Sequence, residues 1–240
     1  MPRRLREVSG LALTGDGRLL AVTDETAIVY EIEIDEMRLV KAFALGEPTV
    51  RGDFEGIAVL DETVYLLTSN GVIYMSPEGG DGERVAFSRH DTGLGDYCEF
   101  EGLAVHGDAL LLLCKEMRSA AHDLRLYTWW PDAALRDSPR ETSLPEREIL
   151  AVLGEDRLRP SGITVDRTNG NRLIVAARQA ALIELDQEGG LVDAIILPEK
   201  NKHRQAEGIE LTADRRLLIA DEGGDGRARL AIYKPRPTVP

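Results

Sequence analysis

One short phrase recurs five times along the chain. Its copies read VSGLAL, FEGIAV, FEGLAV, PSGITV and AEGIEL. They are separated by 46, 46, 60 and 46 residues, counted between Gly10, Gly56, Gly102, Gly162 and Gly208. A repeat of this length is the signature of an architecture built from similar units, each of which buries its apolar face against a neighbour. The chain is therefore expected to fold as five copies of one supersecondary unit.

Each copy of the phrase is followed by a similar sequel. A polar turn such as TGDGR or DRTNGNR leads to a β-rich run, a third apolar run follows, and four repeats carry a fourth, weaker run. Four short antiparallel strands per repeat are typical of a propeller blade. A two-sheet sandwich also uses many short strands, but it has no reason to keep a fixed period. The sequence predicts an all-β, five-bladed β-propeller with four-stranded antiparallel blades around a central channel.

The repeat also predicts how the domain is organised. Residues 1–240 form a single propeller domain, with blades starting near residues 8, 54, 100, 160 and 206. The longer third repeat points to an insertion within 118–148, a polar stretch with three prolines that we expect to leave the rim. The fifth repeat has no fourth run, and segment 3–8 is the candidate strand to complete that blade and close the ring.

The residues just before the repeated glycines should meet at one mouth of the channel. The first strand of a propeller blade lines the axis, where glycine permits the close approach of neighbouring backbones. The residues that precede the glycines are Ser9, Glu55, Glu101, Ser161 and Glu207. The second strand of each blade returns to the same mouth, and its end carries Asp24, Glu25, Asn70, Lys115, Glu116, Arg178, Gln179, Asp221 and Glu222. One end of the channel is predicted to be densely polar.

Such a cluster of carboxylates requires compensation. Like charges held close together take up protons, pair with basic side chains or bind a cation. Carboxylate, amide and hydroxyl oxygens suit a hard cation, and the loose coordination of calcium tolerates such a ring better than the strict octahedron of magnesium. One hypothesis is therefore a calcium ion near Glu55, Glu101, Glu207, Asp24, Asn70 and Asp221.

Two alternatives to the cation remain open. The glutamates can hold neighbouring blades together by accepting backbone amides, with Lys115, Arg178, Arg159 and Arg204 as salt-bridge partners. They can also act directly as acid and base, because perturbed carboxylates are frequent at functional sites.

His203 and Arg204 are the candidate catalytic residues outside the ring. They lie shortly before Glu207, on a loop that should approach the same mouth. His203 is predicted as a general base or substrate donor and Arg204 as a substrate-positioning residue, with a solvated surface histidine as the alternative. No nucleophile elbow, Walker loop, dinucleotide fingerprint or zinc motif occurs in the sequence.

Charge and hydropathy limit the partners. Forty-two acidic against twenty-nine basic residues give a net charge of −13, which repels nucleic acid and anionic membrane surfaces. A small-molecule or protein ligand and a monomeric state are expected.

The longest apolar run, ALLLLC, is too short to cross a bilayer. A cytoplasmic location is expected as the sequence stands, or a periplasmic or extracellular one if an export segment was removed. In the cytoplasm, Cys98 and Cys114 are expected to be reduced thiols.

The motifs EVSGLAL, DFEGIAV, EFEGLAV, PSGITV and HRQAEGIEL, followed by LLIADE, carry a family resemblance. Together they resemble the SdiA-regulated domain family of bacterial β-propellers, loosely related to phytase-like and lactonase-like propellers. The resemblance covers essentially the whole chain. It implies the propeller fold and an acidic channel mouth, and no activity. Members usually carry an N-terminal anchor or export segment, a feature that this sequence does not show.

Two functions from different classes fit these observations. The first is a metal-assisted hydrolase of a small ester, lactone or phosphoester, in which the cation polarises the substrate and activates water. The second is a non-catalytic ligand- or protein-binding propeller whose carboxylates belong to structural networks. Propellers host both kinds of function, so the site has to decide between them.

Overall fold

The computed structural model describes residues 1–119, 123–132, 134–135, 137–198 and 202–235, which form five small sheets. The first blade consists of β1 (Val8–Leu13), β2 (Leu19–Thr23), β3 (Thr26–Glu33) and β4 (Arg38–Leu45). The second consists of β5 (Phe54–Leu60), β6 (Thr63–Thr68), β7 (Val72–Pro77) and β9 (Ser88–Asp91), and the two-residue β8 (Arg84–Val85) runs parallel to β4.

The remaining blades follow the same order. The third contains β10 (Cys98–His106), β11 (Ala109–Met117), β12 (Arg125–Trp129) and β13 (Arg140–Ser143). The fourth contains β14 (Gly162–Val165), β15 (Arg172–Ala176), β16 (Ala181–Leu185) and β17 (Leu191–Ile196). The fifth contains β18 (Ala206–Leu211), β19 (Leu217–Asp221) and β20 (Arg229–Tyr233).

The first strands of the five blades close a ring. β1 contacts β5, β5 contacts β10, β10 contacts β14, β14 contacts β18, and β18 returns to β1. Within each blade the first three strands pair antiparallel in chain order. The predicted all-β, five-bladed propeller is therefore confirmed.

The repeated glycines sit where neighbouring inner strands touch. A Cβ on Gly56 would lie 2.8 Å from the backbone nitrogen of Leu103 in the next blade. A Cβ on Gly10 would lie 3.1 Å from the backbone nitrogen of Ile57. A side chain at these positions would push adjacent blades apart, so the close approach expected from the sequence is the reason for the glycines.

The hydrophobic core lies between the blades. Leu110, Leu111, Leu112 and Leu113 in β11 are all fully buried, on both faces of the strand. This happens because each blade packs a neighbour on either side, so a middle strand has no solvent-facing surface. The continuous apolar run thus follows from the propeller architecture.

The sequence predicted that segment 3–8 would add a fourth strand to the fifth blade. The part of the chain that the structure describes contains no such strand. Arg3–Leu5 forms a 3-10 helix with the Leu5 side chain fully buried, and Gly223 N donates to Arg6 O at 2.7 Å. The prediction of a fourth strand was wrong because this apolar anchor enters the core as a helical turn. Among the described residues the fifth blade has three strands.

The segment 118–148 contains regular structure. β12 and β13 are the outer strands of the third blade, and helix α1 (Glu146–Leu153) begins within the segment. No helix was anticipated. Its eight residues are too few to establish a helical period, and α1 ends at Gly154, which has a φ of 70°. Residues 120–122, 133 and 136 of the predicted insertion lie outside the described residues.

Cys98 and Cys114 are joined as a disulfide between β10 and β11, with their Cα atoms 5.8 Å apart. The expectation of two reduced thiols was wrong: Cys98 lies opposite Met117 and Cys114 opposite Phe100, and the irregular register between these pairs brings the two cysteines within disulfide distance. Within the described ranges, no helix has the length and apolar character needed to cross a bilayer.

Candidate functional site

In four of the five blades, the residue before the repeated glycine is the extra residue of a β-bulge. In the first blade, pairing of β1 with β2 passes from Val8 directly to Gly10, which leaves Ser9 as the extra residue. The same shift occurs at Glu55, Glu101 and Glu207. A bulge releases one residue from the ladder and re-aims its side chain, and bulges are frequent next to active sites. The repeated phrase therefore encodes a bulge followed by a close blade contact.

The third blade carries a second bulge opposite the first. On β11 the pairing with β10 omits Lys115, just as it omits Glu101 on β10. The two extra residues meet, and the Lys115 Nζ atom lies 2.5 Å from Glu101 Oε1 and 3.7 Å from a Glu99 carboxylate oxygen. This paired bulge places the ammonium group among the carboxyl groups of the mouth.

A small cavity lies on the axis. It has a volume of about 10 Å³, and Ser9, Glu55 and Glu207 line it together with the glycines of the inner strands. Space of this size holds about one water molecule or a single ion. The chain thus brings residues from three distant repeats to one narrow point.

Burial raises the pKa of each of the three ring glutamates. The pKa of Glu55 is raised to about 9 by burial and by the neighbouring charges of Glu101, Asp53 and Glu207. The pKa of Glu207 is raised to about 8 by burial and by the Glu101 carboxylate. The pKa of Glu101, which is only 4% exposed, is raised to about 7 by burial, against the opposing effect of the Lys115 ammonium. The three carboxyl groups therefore keep protons at a pH where ordinary glutamates have lost them.

Four buried oxygens of residues predicted at the mouth have no hydrogen-bond partner among the described residues. They are Ser9 Oγ, Asp24 Oδ1, Glu101 Oε2 and Asp221 Oδ1. Unsatisfied buried acceptors are rare and suit a bound water or hard cation. In the described part of the chain, however, no three His, Cys, Asp or Glu side chains are gathered closely enough to hold a metal ion. The calcium site stays a prediction, and it requires the ring carboxyl groups to move closer together.

Ser161 has a structural contact instead of a free hydroxyl. Its Oγ donates to Ala206 O at 2.6 Å in the next blade and accepts from Ala177 N at 2.9 Å. The hydroxyl therefore links the fourth and fifth blades at the position that the glutamates occupy elsewhere.

His203 is fully buried, and this corrects its predicted position at the mouth. Its Nδ1 lies 2.9 Å from Asp221 Oδ2, and its Nε2 lies 2.5 Å from Tyr233 Oη. Both ring nitrogens are engaged, so His203 is not accessible to a substrate. It serves as the partner that the buried Asp221 carboxylate needs. Neighbouring Arg204 is exposed.

The other residues predicted at the mouth have different environments. Asn70 Oδ1 accepts from Thr68 Oγ1 at 2.6 Å, and Gln179 Nε2 donates to Arg157 O at 2.7 Å. Glu25 is 3.4 Å from Arg51. The remaining residues are Glu116, which pairs with two arginines, Glu222, which accepts from Gln205, and the exposed Arg178. Of this group, Glu222 is near enough to raise the pKa of Glu207, as Asp24 also does.

Sequence reasoning missed Asp53 and Glu99. Asp53 helps to raise the pKa of both Glu55 and Glu101, and Glu99 approaches Lys115. Each stands two positions before a ring glutamate, in DFEG and EFEG. Alternation along an extended chain puts such residues on one side, so the signal was present in the repeated phrase.

Comparisons with known proteins reveal similarity of fold. Neither a protein-family model nor a curated protein sequence matches the chain. Among solved structures, the chain resembles the glutaminyl cyclase of Myxococcus xanthus with a TM-score of 0.63 and 15% identity, over 95% of this chain and 92% of the cyclase. A luciferin-regenerating enzyme matches with a TM-score of 0.60 and 10% identity, over 97% and 92% of the two chains.

A gluconolactonase from Xanthomonas campestris is a further structural neighbour. Its TM-score is 0.57 and its identity 14%, over 94% of this chain and 72% of the lactonase. The chain shares the propeller fold with these enzymes. At such low identity the likeness extends to the fold alone, and the resemblance to the SdiA-regulated family stays a prediction.

Proposed function

We propose that the protein is a hydrolase that cleaves a small ester, lactone or phosphoester at the axial mouth. The observation that carries this proposal is the ring of buried carboxyl groups, Glu55, Glu101 and Glu207, whose pKa values are raised to between about 7 and about 9. Glu101 pairs with Lys115, but the Glu55 and Glu207 carboxyl groups form no ion pair with a described residue, and groups with strongly perturbed pKa values are typical of active sites. The gluconolactonase neighbour supports the choice of hydrolysis.

The ring contains both a base and an acid. Glu101 has a pKa of about 7 and is held by Lys115, so it is ionised in part near neutral pH and can accept a proton from an attacking water. Glu55 has a pKa of about 9 and keeps its proton at the same pH. As the water oxygen bonds to the substrate carbonyl carbon, the bond to the leaving oxygen breaks and Glu55 gives that oxygen its proton. Neighbouring carboxyls with separated pKa values are a recurrent basis for such a division.

A hard cation at the same residues would require their carboxyl groups to move closer together, since no three of them are gathered closely enough in the described structure. Glu55, Glu101 and Glu207 would supply carboxylate oxygens, and Asp24 has a buried oxygen without a hydrogen-bond partner among the described residues. A bound calcium ion would polarise the substrate oxygen. Because ligand carboxylates must be ionised, and these hold protons at neutral pH, loading the site would release protons to the buffer. This proton release separates binding at the ring from adventitious binding to exposed acidic turns.

A direct test compares wild type with Glu101→Gln in a screen of nitrophenyl esters, aliphatic lactones and phosphoesters, with added calcium and with chelator. Glu62→Gln is the matched control, since Glu62 is exposed in the turn between β5 and β6. We expect Glu101→Gln to lower kcat/KM by at least about a hundredfold, the usual contribution of general-base catalysis, and Glu62→Gln to leave it unchanged. No hydrolysis of any substrate, or equal activity of Glu101→Gln, would rule the proposal out.

A further inference from the structure

A cavity of about 710 Å³ opens beside the axial mouth. The 3-10 helix Arg3–Leu5, the turn between β2 and β3 and the loop 225–227 form its walls. Four arginines line it, namely Arg3, Arg4, Arg6 and Arg227. Its volume falls in the range of small-molecule sites. Such a concentration of guanidinium groups stands out in a chain with a net charge of −13.

Two of the four carboxyl groups that line this cavity, Glu7 and Glu25, are already paired. Arg6 lies 2.7 Å from Glu7 and is also influenced by Asp225, while Glu25 pairs with Arg51. Three arginines remain, Arg3, Arg4 and Arg227, and none forms an ion pair with a carboxylate of the described chain. Of the four lining carboxyl groups, Asp24 and Asp225 form no ion pair with a described residue, so two carboxyl groups face three unpaired guanidinium groups.

Unpaired guanidinium groups on a concave surface favour one class of ligand. Each presents several N–H donors in a planar fork that matches the two oxygens of a carboxylate or phosphate. All three arginines are exposed, so their donors are available to such a group. An oxyanion between them would compensate their charge without rearranging the fold.

Asp24 connects the wall of the cavity to the carboxyl ring. Asp24 lines the cavity, and the carbonyl oxygen of Asp24 accepts from Phe54 N at 2.7 Å, one residue before Glu55. Asp24 is also near enough to Glu207 to influence its ionisation. A ligand seated on the arginines can therefore extend past Asp24 towards the ring.

We infer that the cavity is a subsite for the anionic arm of the substrate, with Arg3, Arg4 and Arg227 binding its carboxylate or phosphate group. The substrate class is thus an ester or lactone that bears an oxyanion at the end remote from the scissile bond. This inference rests on the proposed function for the position of that bond. Anion binding in the cavity stands separately, on the unpaired arginines.

Binding is tested by titrating ¹⁵N-labelled protein with inorganic phosphate and, separately, with succinate, while amide NMR shifts are followed. The variant combines Arg3→Gln, Arg4→Gln and Arg227→Gln, and Arg147→Gln on the exposed face of α1 is the matched control. We expect saturable shifts around the cavity, with affinity at least about tenfold weaker in the triple variant and unchanged in the control. The stronger of the two ligands identifies the oxyanion. No saturable binding, or equal affinity in the triple variant, would overturn the inference.

Catalysis gives a second readout. For an anionic ester, the triple variant should raise KM by about tenfold with little change in kcat, whereas KM for a neutral ester of the same alcohol should stay constant. An equal change for both esters would contradict the inference. If no ester is hydrolysed but phosphate or succinate binds through these arginines, the proposed function fails and the anion site stands.

Discussion

Replacing Glu207 by glutamine should stabilise the folded protein, by an amount that grows with pH. Burial and the neighbouring carboxylates raise the pKa of Glu207 from 4.5 to about 8. Its side chain forms no hydrogen bond or ion pair with another residue of the described ranges, so Glu207→Gln removes the titration without breaking a contact. Glutamine keeps the shape of the protonated acid and cannot ionise.

The sign follows from proton linkage. Below pH 4.5 the group is protonated in both states and contributes nothing. Between pH 4.5 and about 8 the folded protein keeps a proton that the unfolded chain releases, so stability falls as pH rises. At about 1.4 kcal/mol per pH unit, the cost reaches up to about 3 kcal/mol at pH 7 and stays below about 1 kcal/mol at pH 5. The free energy of unfolding of Glu207→Gln should exceed that of wild type by these amounts.

The assay is urea unfolding at pH 5 and pH 7 in the presence of chelator, so that no cation offsets the charge. At pH 7 the gain corresponds to a rise in Tm of about 6–12 °C for a domain of this size. Glu62→Gln, at an exposed turn, should change stability by less than about 0.5 kcal/mol at both values. A gain that is absent, or that does not increase from pH 5 to pH 7, would refute the raised pKa of Glu207.

Three further substitutions test the remaining parts of the account. Lys115→Met removes the ammonium group that favours the ionised form of Glu101. The acidic limb of the pH–rate profile should therefore move up by about one pH unit. A limb that does not move would contradict the role of Glu101 as the base. Gly56→Ala should lower the free energy of unfolding, measured in urea, by more than about 2 kcal/mol because its Cβ meets the next blade. Gly15→Ala, whose Cβ would have nothing within 4 Å, should lower it by less than about 1 kcal/mol. Equal effects would contradict the contact between blades. His203→Ala should lower the free energy of unfolding by about 3 kcal/mol because it leaves the buried Asp221 carboxylate without its histidine partner, while kcat of the folded protein persists. A loss of kcat without a loss of stability would place the histidine in the reaction.

The sequence was sufficient for the ring and for the position of its glutamates. A repeated glycine reports a local steric requirement, the approach of two backbones, and that requirement recurs once per blade. The bulges at Glu55 and Glu101 were not predicted, because a bulge is defined by the register of a partner strand that the repeated phrase does not contain. The repeated phrase therefore located the glutamates beside the glycines without revealing that they are the extra residues of bulges.

The errors concern residues whose environment depends on distant parts of the chain. His203 was predicted on a loop at the channel mouth because it lies shortly before Glu207, yet Asp221 and Tyr233 enclose it. Leu5 directs segment 3–8 into the core as a helical turn, although a short strand would have completed the fifth blade. In both cases tertiary packing, which local pattern does not encode, decided the outcome.

The proposed site depends on the electrostatic coupling of Glu55, Glu101 and Glu207 in one ring. A pH titration of the glutamate side-chain carboxyl carbons by ¹³C NMR tests it most directly, with Glu→Gln variants at the three positions assigning the signals. We expect three carboxyl groups that titrate at about pH 7, 8 and 9, and a shift in the others when one is replaced. Three signals that titrate independently near pH 4.5 would contradict it.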